Sequence, residues 1–194
     1  MKQMEDAENN SLSGLGFKPH FQRSYPEDAL ASNVLGFVTR DGRGYFGIEE
    51  KYNDLLAGNP VQVWVPSDPN KATEIPRVPN GTTLVLTINR DLQAKVENIL
   101  DQALTKYGAE NGAIIVMNPQ NGEILAMSTT PRLDLNNYSS YFDIYDNGSQ
   151  YNRSIGMAYE AGSVVKILTM AAALDTGTVT PSTTYIDTGS IDVG

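Results

Sequence analysis

The chain has 194 residues, 40% of them hydrophobic, enough for one ordinary domain plus a smaller piece, or for part of something larger. A formal net charge of −9 argues against binding nucleic acid through its phosphates, so no nucleic-acid partner is expected. With no cysteine and one histidine, His20, thiol catalysis, disulfides and zinc sites built from Cys and His are excluded or nearly so.

Residues up to about Ser13 are polar and read as a frayed start, and no apolar run in the sequence is long enough to cross a bilayer. From Phe21 a small irregular module follows, in which Asp41-Gly42-Arg43-Gly44 feeds a short helix expected over 48–56 and ended by Gly58. The alternation Val61-Gln62-Val63-Trp64-Val65 predicts a strand. Four prolines then interrupt the chain, Asn80-Gly81 makes a turn, and 83–88 predicts a second strand.

The spacing of Leu92, Val96, Ile99, Leu100, Ala103, Leu104 and Tyr107 predicts an amphipathic helix over 91–109, stopped near Gly108. Two apolar runs, 112–117 and 123–127, flank Asn118-Pro119-Gln120-Asn121-Gly122 and predict a β-hairpin. The tyrosine-rich stretch 131–153 reads as a long loop, either the rim of an active-site cleft or a surface loop whose tyrosines pack locally. Helices alternating with a hairpin indicate an α+β fold, an antiparallel sheet with helices packed against it.

The most informative stretch is Tyr159-Glu160-Ala161-Gly162-Ser163-Val164-Val165-Lys166. Residues 164–174 are good helix formers and apolar on nearly every side, which predicts a buried helix. A lysine in its first turn would be desolvated and would sit at the positive end of the helix dipole, both of which disfavour the charged ammonium. Ser163 lies three residues before Lys166, on the same side of a helix, so a hydroxyl meets an amine able to take its proton. Backbone N–H groups at a helix start can receive the oxyanion that forms on acyl transfer. The plain structural reading makes Ser163 an N-cap and lets Lys166 snorkel to solvent. A Ser-His-Asp triad would have to recruit His20, far away in a polar stretch.

Ser-x-x-Lys after a glycine, opening an apolar helix, resembles the active-site motif of penicillin-binding proteins and serine β-lactamases. Tyr159-Glu160-Ala161-Gly162-Ser163 is similar to the tyrosine-glutamate-proline-glycine-serine run of class B penicillin-binding proteins, with Ala161 in the proline position. Arg23, Tyr25-Pro26, Leu35-Gly36 and Gly47-Ile48-Glu49 recur in the order of that family's non-catalytic pedestal. Residues 84–93 resemble its connector, with Asn89 for the usual aspartate, and Asp134 and Asn136 echo an aspartate-proline-asparagine step.

The resemblance implies a partial pedestal over 1–80 and the N-terminal part of a transpeptidase domain over 81–194, an incomplete version of the family's sheet with packed helices. The family's Ser-x-Asn and Lys-Thr-Gly motifs do not occur in a suitable place, so the chain is expected to be an internal fragment, poorly active and marginally folded by itself. The implied activity is that of a peptidoglycan D,D-transpeptidase in wall synthesis and cell division, with Ser163 as nucleophile, Lys166 as its base and the Ser163 N–H as an oxyanion donor. Implied partners are D-alanyl-D-alanine stem peptides, β-lactams and wall-synthesis proteins in the membrane. The implied place is the outer face of the bacterial membrane, reached through an N-terminal anchor absent from these residues. No metal or organic cofactor is implied. A β-lactamase or β-lactam sensor of the same fold and a non-catalytic scaffold are the other readings, the first disfavoured by the pedestal-like residues.

Overall fold

The computed structural model describes residues 22–58, 80–146 and 151–190, in two compact units that divide between Met157 and Ala158. His20, the strand expected over 61–65 and the last four residues lie outside the described residues.

The first unit contains α1 (Ser32–Leu35), β1 (Phe37–Val38), β2 (Gly44–Tyr45), α2 (Gly47–Lys51), α3 (Asn53–Ala57), α4 (Arg90–Tyr107), β3 (Ala113–Met117), β4 (Ile124–Thr129), a 3-10 turn (Leu135–Ser140), α5 (Tyr141–Ile144) and α6 (Arg153–Gly156). Its longest element, α4, begins where the Asn89 side chain accepts a hydrogen bond from Leu92 N–H at 2.9 Å, and it ends at Gly108, which adopts φ 62°. The buried positions Gln93, Val96, Glu97 and Leu100 fall at three and four along one face, the periodicity the sequence shows. Burial of Val96 and Leu100 stabilises the packing by about 1.5–3 kcal/mol each.

That face lies on the hairpin. β3 and β4 pair antiparallel, with Ile115 opposite Met127 and Val116 opposite Ala126, and the register shifts between Val116 and Met117. The turn closes through Asn118 N–H to the Glu123 carbonyl at 2.9 Å. Gln93, polar yet fully buried, occupies the outer edge of β4: its carboxamide oxygen accepts from Met127 N–H (2.9 Å) and its amide donates to the Met127 carbonyl (2.8 Å). A side chain thus satisfies an edge that another strand would otherwise have to pair.

Residues 83–88 are extended, with Leu84, Leu86 and Ile88 turned inward, but they join no ladder among the described residues. Isolated bonds hold this stretch, including Thr82 N–H to the Leu55 carbonyl and Asn89 N–H to the Leu125 carbonyl, both 2.8 Å. The helix expected over 48–56 is two helices, α2 and α3, separated at Tyr52, whose φ of −113° breaks the helical run.

Within the tyrosine-rich stretch, Tyr138 and Tyr141 pack against a buried cluster, the local packing that one of its two readings describes. Tyr145, Tyr151, Leu133 and Leu135 are buried with Tyr25 and Phe37 from the N-terminal segment. Asn33 anchors them: its amide donates to Tyr145 Oη (2.9 Å) and to the Tyr151 carbonyl (2.6 Å), while Tyr151 Oη donates to the Ser32 carbonyl (3.0 Å). Asn136 pairs with both the N–H and the carbonyl of Tyr25, at 3.0 and 2.7 Å. Burial pushes the Tyr145 phenol up to about 12 and raises those of Tyr25 and Tyr151 further. Buried Glu49 is held by Arg23 Nε at 2.8 Å, and buried Glu97 accepts Ala31 N–H at 2.9 Å and pairs with Arg132 at 3.4 Å. Residues 22–58 and 80–157 lie within one compact unit.

The second unit holds a 3-10 turn (Gly162–Val164) and α7 (Val165–Asp175). The helix stops at Thr176 and Gly177, where Gly177 N–H donates to the Leu174 carbonyl at 3.1 Å and Thr178 N–H to the Ala173 carbonyl at 3.0 Å. The expectation that this helix is buried is corrected: Ile167 and Leu168 are 72% and 70% exposed, and Val165 and Met170 are also open. Apolar character all round shows that a helix favours cover, not what covers it. The rest of the unit, short turns rich in threonine and glycine, is too small to supply a core.

Candidate active site

Ser163 is the middle residue of the 3-10 turn that runs straight into α7. Val164 (φ −61°, ψ −32°) and Val165 (φ −61°, ψ −23°) are right-handed helical, so Ser163 to Lys166 form one uninterrupted turn. Ser163 lies in the 3-10 turn and Lys166 in the first turn of the α-helix that follows, a spacing of three at which helical neighbours lie near one another.

Ser163 is not a cap. Ala161 precedes the 3-10 turn and Val164 precedes α7, and neither start carries a side-chain cap bond. The plain structural reading of Ser163 as an N-cap is thereby replaced by a hydroxyl left available. Its N–H belongs to the opening turn, whose donors have no intrahelical acceptor.

Two features differ from expectation. Lys166 is exposed, because the helix that was to bury it is open to solvent. Among the described residues no hydrogen bond joins the Ser163 hydroxyl to the Lys166 amine. Among the described residues no cluster of three or more His, Asp or Glu suits a metal ion, and no helix is long and apolar enough to cross a membrane.

An α+β chain whose apolar helix opens on Gly-Ser-x-x-Lys has the build of the penicillin-recognising serine proteins. Residues 112–193 match the family model of the penicillin binding protein transpeptidase domain. The chain is similar to class B penicillin-binding proteins over most of its length. Stage V sporulation protein D of Bacillus subtilis is 37% identical over 161 residues, covering 79% of this chain and 24% of that protein. Peptidoglycan D,D-transpeptidase FtsI of Buchnera aphidicola subsp. Baizongia pistaciae is 33% identical over 186 residues, 94% of this chain and 32% of that one. The crystal structure of penicillin binding protein 3 from Mycobacterium tuberculosis in complex with aztreonam is similar at TM-score 0.67 and 28% identity, over 86% of this chain and 35% of that one. The chain thus spans about a quarter to a third of the length of the curated relatives it matches. The α+β expectation, an antiparallel hairpin with packed helices, holds.

Proposed function

We propose that the protein carrying this chain is a peptidoglycan D,D-transpeptidase that works through an acyl-serine. The Ser163 hydroxyl oxygen attacks the carbonyl carbon between two D-alanines of a stem peptide, and its proton passes to the Lys166 amine. The C–N bond then breaks, the terminal D-alanine leaves with a proton returned from Lys166, and an acyl ester on Ser163 remains. An amine of a neighbouring stem attacks that ester, forms the cross-link and gives Ser163 back its proton through the same lysine. The Ser163 N–H donates to the oxyanion in both halves. β-Lactams, whose ring is an activated amide, acylate the same oxygen.

Base catalysis needs a neutral amine, which exclusion of water favours. The apolar neighbours Val164, Val165 and Ile167 provide a surface against which substrate or further protein can exclude water. Residues 1–80 are assigned to a pedestal and 81–194 to the transpeptidase domain. The work is placed on the outer face of the bacterial membrane, beside wall-synthesis partners.

The observation that carries this reading is the family match over 112–193, which contains a serine free of capping duty in one helical turn with Lys166. Labelling the full product of the reading frame with a fluorescent penicillin tests it. Covalent label on the peptide containing Ser163, lost in Ser163→Ala, is expected. Label that survives in Ser163→Ala, or sits on another residue, overturns it.

A further inference from the structure

We infer that Gly162 is a positioning residue whose left-handed backbone keeps the Ser163 N–H free to serve as an oxyanion donor. The inference rests on the acyl-serine reading. Gly162 has φ +55°, while Ala161 before it (φ −69°, ψ −25°) and Val164 and Val165 after it are right-handed helical. A single residue of opposite hand therefore separates Ala161 from the helical run that leads into α7. The reason for glycine here is not space: a Cβ built on Gly162 meets nothing within 4 Å. It is conformation, since a left-handed φ is accessible to glycine at no steric cost and to asparagine at little, but is disfavoured for alanine.

The consequence falls on the next residue. The 3-10 turn opens on a left-handed Gly162, and the Ser163 amide is among the opening donors that lack an intrahelical acceptor. With a right-handed residue at 162, the helix would extend backward through Ala161. The Ser163 N–H would then be drawn to the carbonyl of Tyr159, four residues earlier, and be spent on the backbone. The same switch would turn the seryl side chain, because it changes the direction in which the chain enters the turn. One dihedral thus decides whether the nucleophile's own amide faces a ligand or its own helix.

The test compares Gly162→Ala and Gly162→Asn with the parent in the full product of the reading frame. Penicillin acylation is resolved into non-covalent affinity and acylation rate, with the melting temperature measured alongside. Gly162→Ala is expected to acylate about 5- to 30-fold more slowly, the rate equivalent of the left-handed penalty on an L-residue. Non-covalent affinity should stay within about twofold, and the melting temperature should be no lower, because alanine favours a longer helix. Gly162→Asn, which tolerates the left-handed region, should recover to within about threefold of the parent. A purely structural glycine would instead lower the melting temperature and leave the rate of the folded fraction alone. Alanine acylating as fast as glycine, or asparagine as slow as alanine, overturns the inference while leaving Ser163 as nucleophile. Should Gly162→Ala fail to fold, the asparagine rate alone decides. An unlabelled parent would sink the acyl-serine reading and this inference together.

Discussion

The two units of this chain invert each other. In residues 22–157 polar groups lie inside and are paired: Gln93 with the Met127 backbone, Asn33 with two tyrosines, Glu49 with Arg23, Glu97 with Ala31 and Arg132. In residues 158–190 apolar groups lie outside: Ile167, Leu168 and Met170 cover a helix with nothing packed on it within its own unit. The first arrangement makes a body rigid, since each buried polar group specifies one partner at one distance. The second makes a surface that gains free energy when covered. The proposed chemistry falls on the second, where water must be removed for an amine to act as base. One unit carries the packing, and the other carries the residues proposed to react.

The sharpest test of that separation is Lys166→Ala in the full product of the reading frame. Penicillin acylation should fall by about 10²- to 10⁴-fold, the usual worth of a positioned base, with the melting temperature unchanged. A smaller loss would move the base elsewhere. Leu133→Ala attacks the other side: Leu133 is fully buried, and its truncation should destabilise by about 2–5 kcal/mol in denaturant titration while the folded fraction acylates normally. Equal losses of rate and stability in either variant would erase the distinction between the units.

Alkali should act on the first unit alone. The folded-state values of Tyr25, Tyr145 and Tyr151 lie above their unfolded value, so the stability they contribute is fully present below pH 10 and is lost as pH rises through the folded values. With Tyr145 at about 12, unfolding should set in between pH 10 and 12, with tyrosinate absorbance rising together with loss of structure. Tyrosinate that forms near pH 10 without unfolding would show that these phenols are open to water. The smallest effect is expected from Ile167→Ser in the 194-residue chain, within about 0.5 kcal/mol, since the side chain is 72% exposed. A much larger loss would reveal a cover on α7.

Periodicity made the strong local elements legible. The three-and-four spacing from Leu92 to Tyr107 foretold α4 to within two residues at either end, and the two apolar runs around Asn118-Pro119-Gln120-Asn121-Gly122 foretold the β3–β4 hairpin. The Gly-Ser-x-x-Lys turn was legible because spacing of three along a helix is itself a geometric statement, and the backbone honours it. Misread were the elements whose state depends on distant chain. The tyrosines of 131–153 resemble a loop until Asn33, more than a hundred residues away, takes Tyr145 and Tyr151 as partners. Gln93 reads as one polar residue in a helix, and no pattern announces that its amide will stand in for a strand. Composition led to a buried α7, since it reports a preference for cover and cannot name the surface that satisfies it.

What the residues settle unaided is therefore what neighbours a turn apart carry: where the long helix and the hairpin form, and the Gly-Ser-x-x-Lys motif on which the family resemblance rests. Left to the tertiary structure were the partners of the buried amides and phenols, the exposure of α7, and the hand of the backbone at Gly162. Those depend on groups brought together across tens of residues, or on a dihedral that glycine leaves open, and neither leaves a periodic trace in the order of side chains.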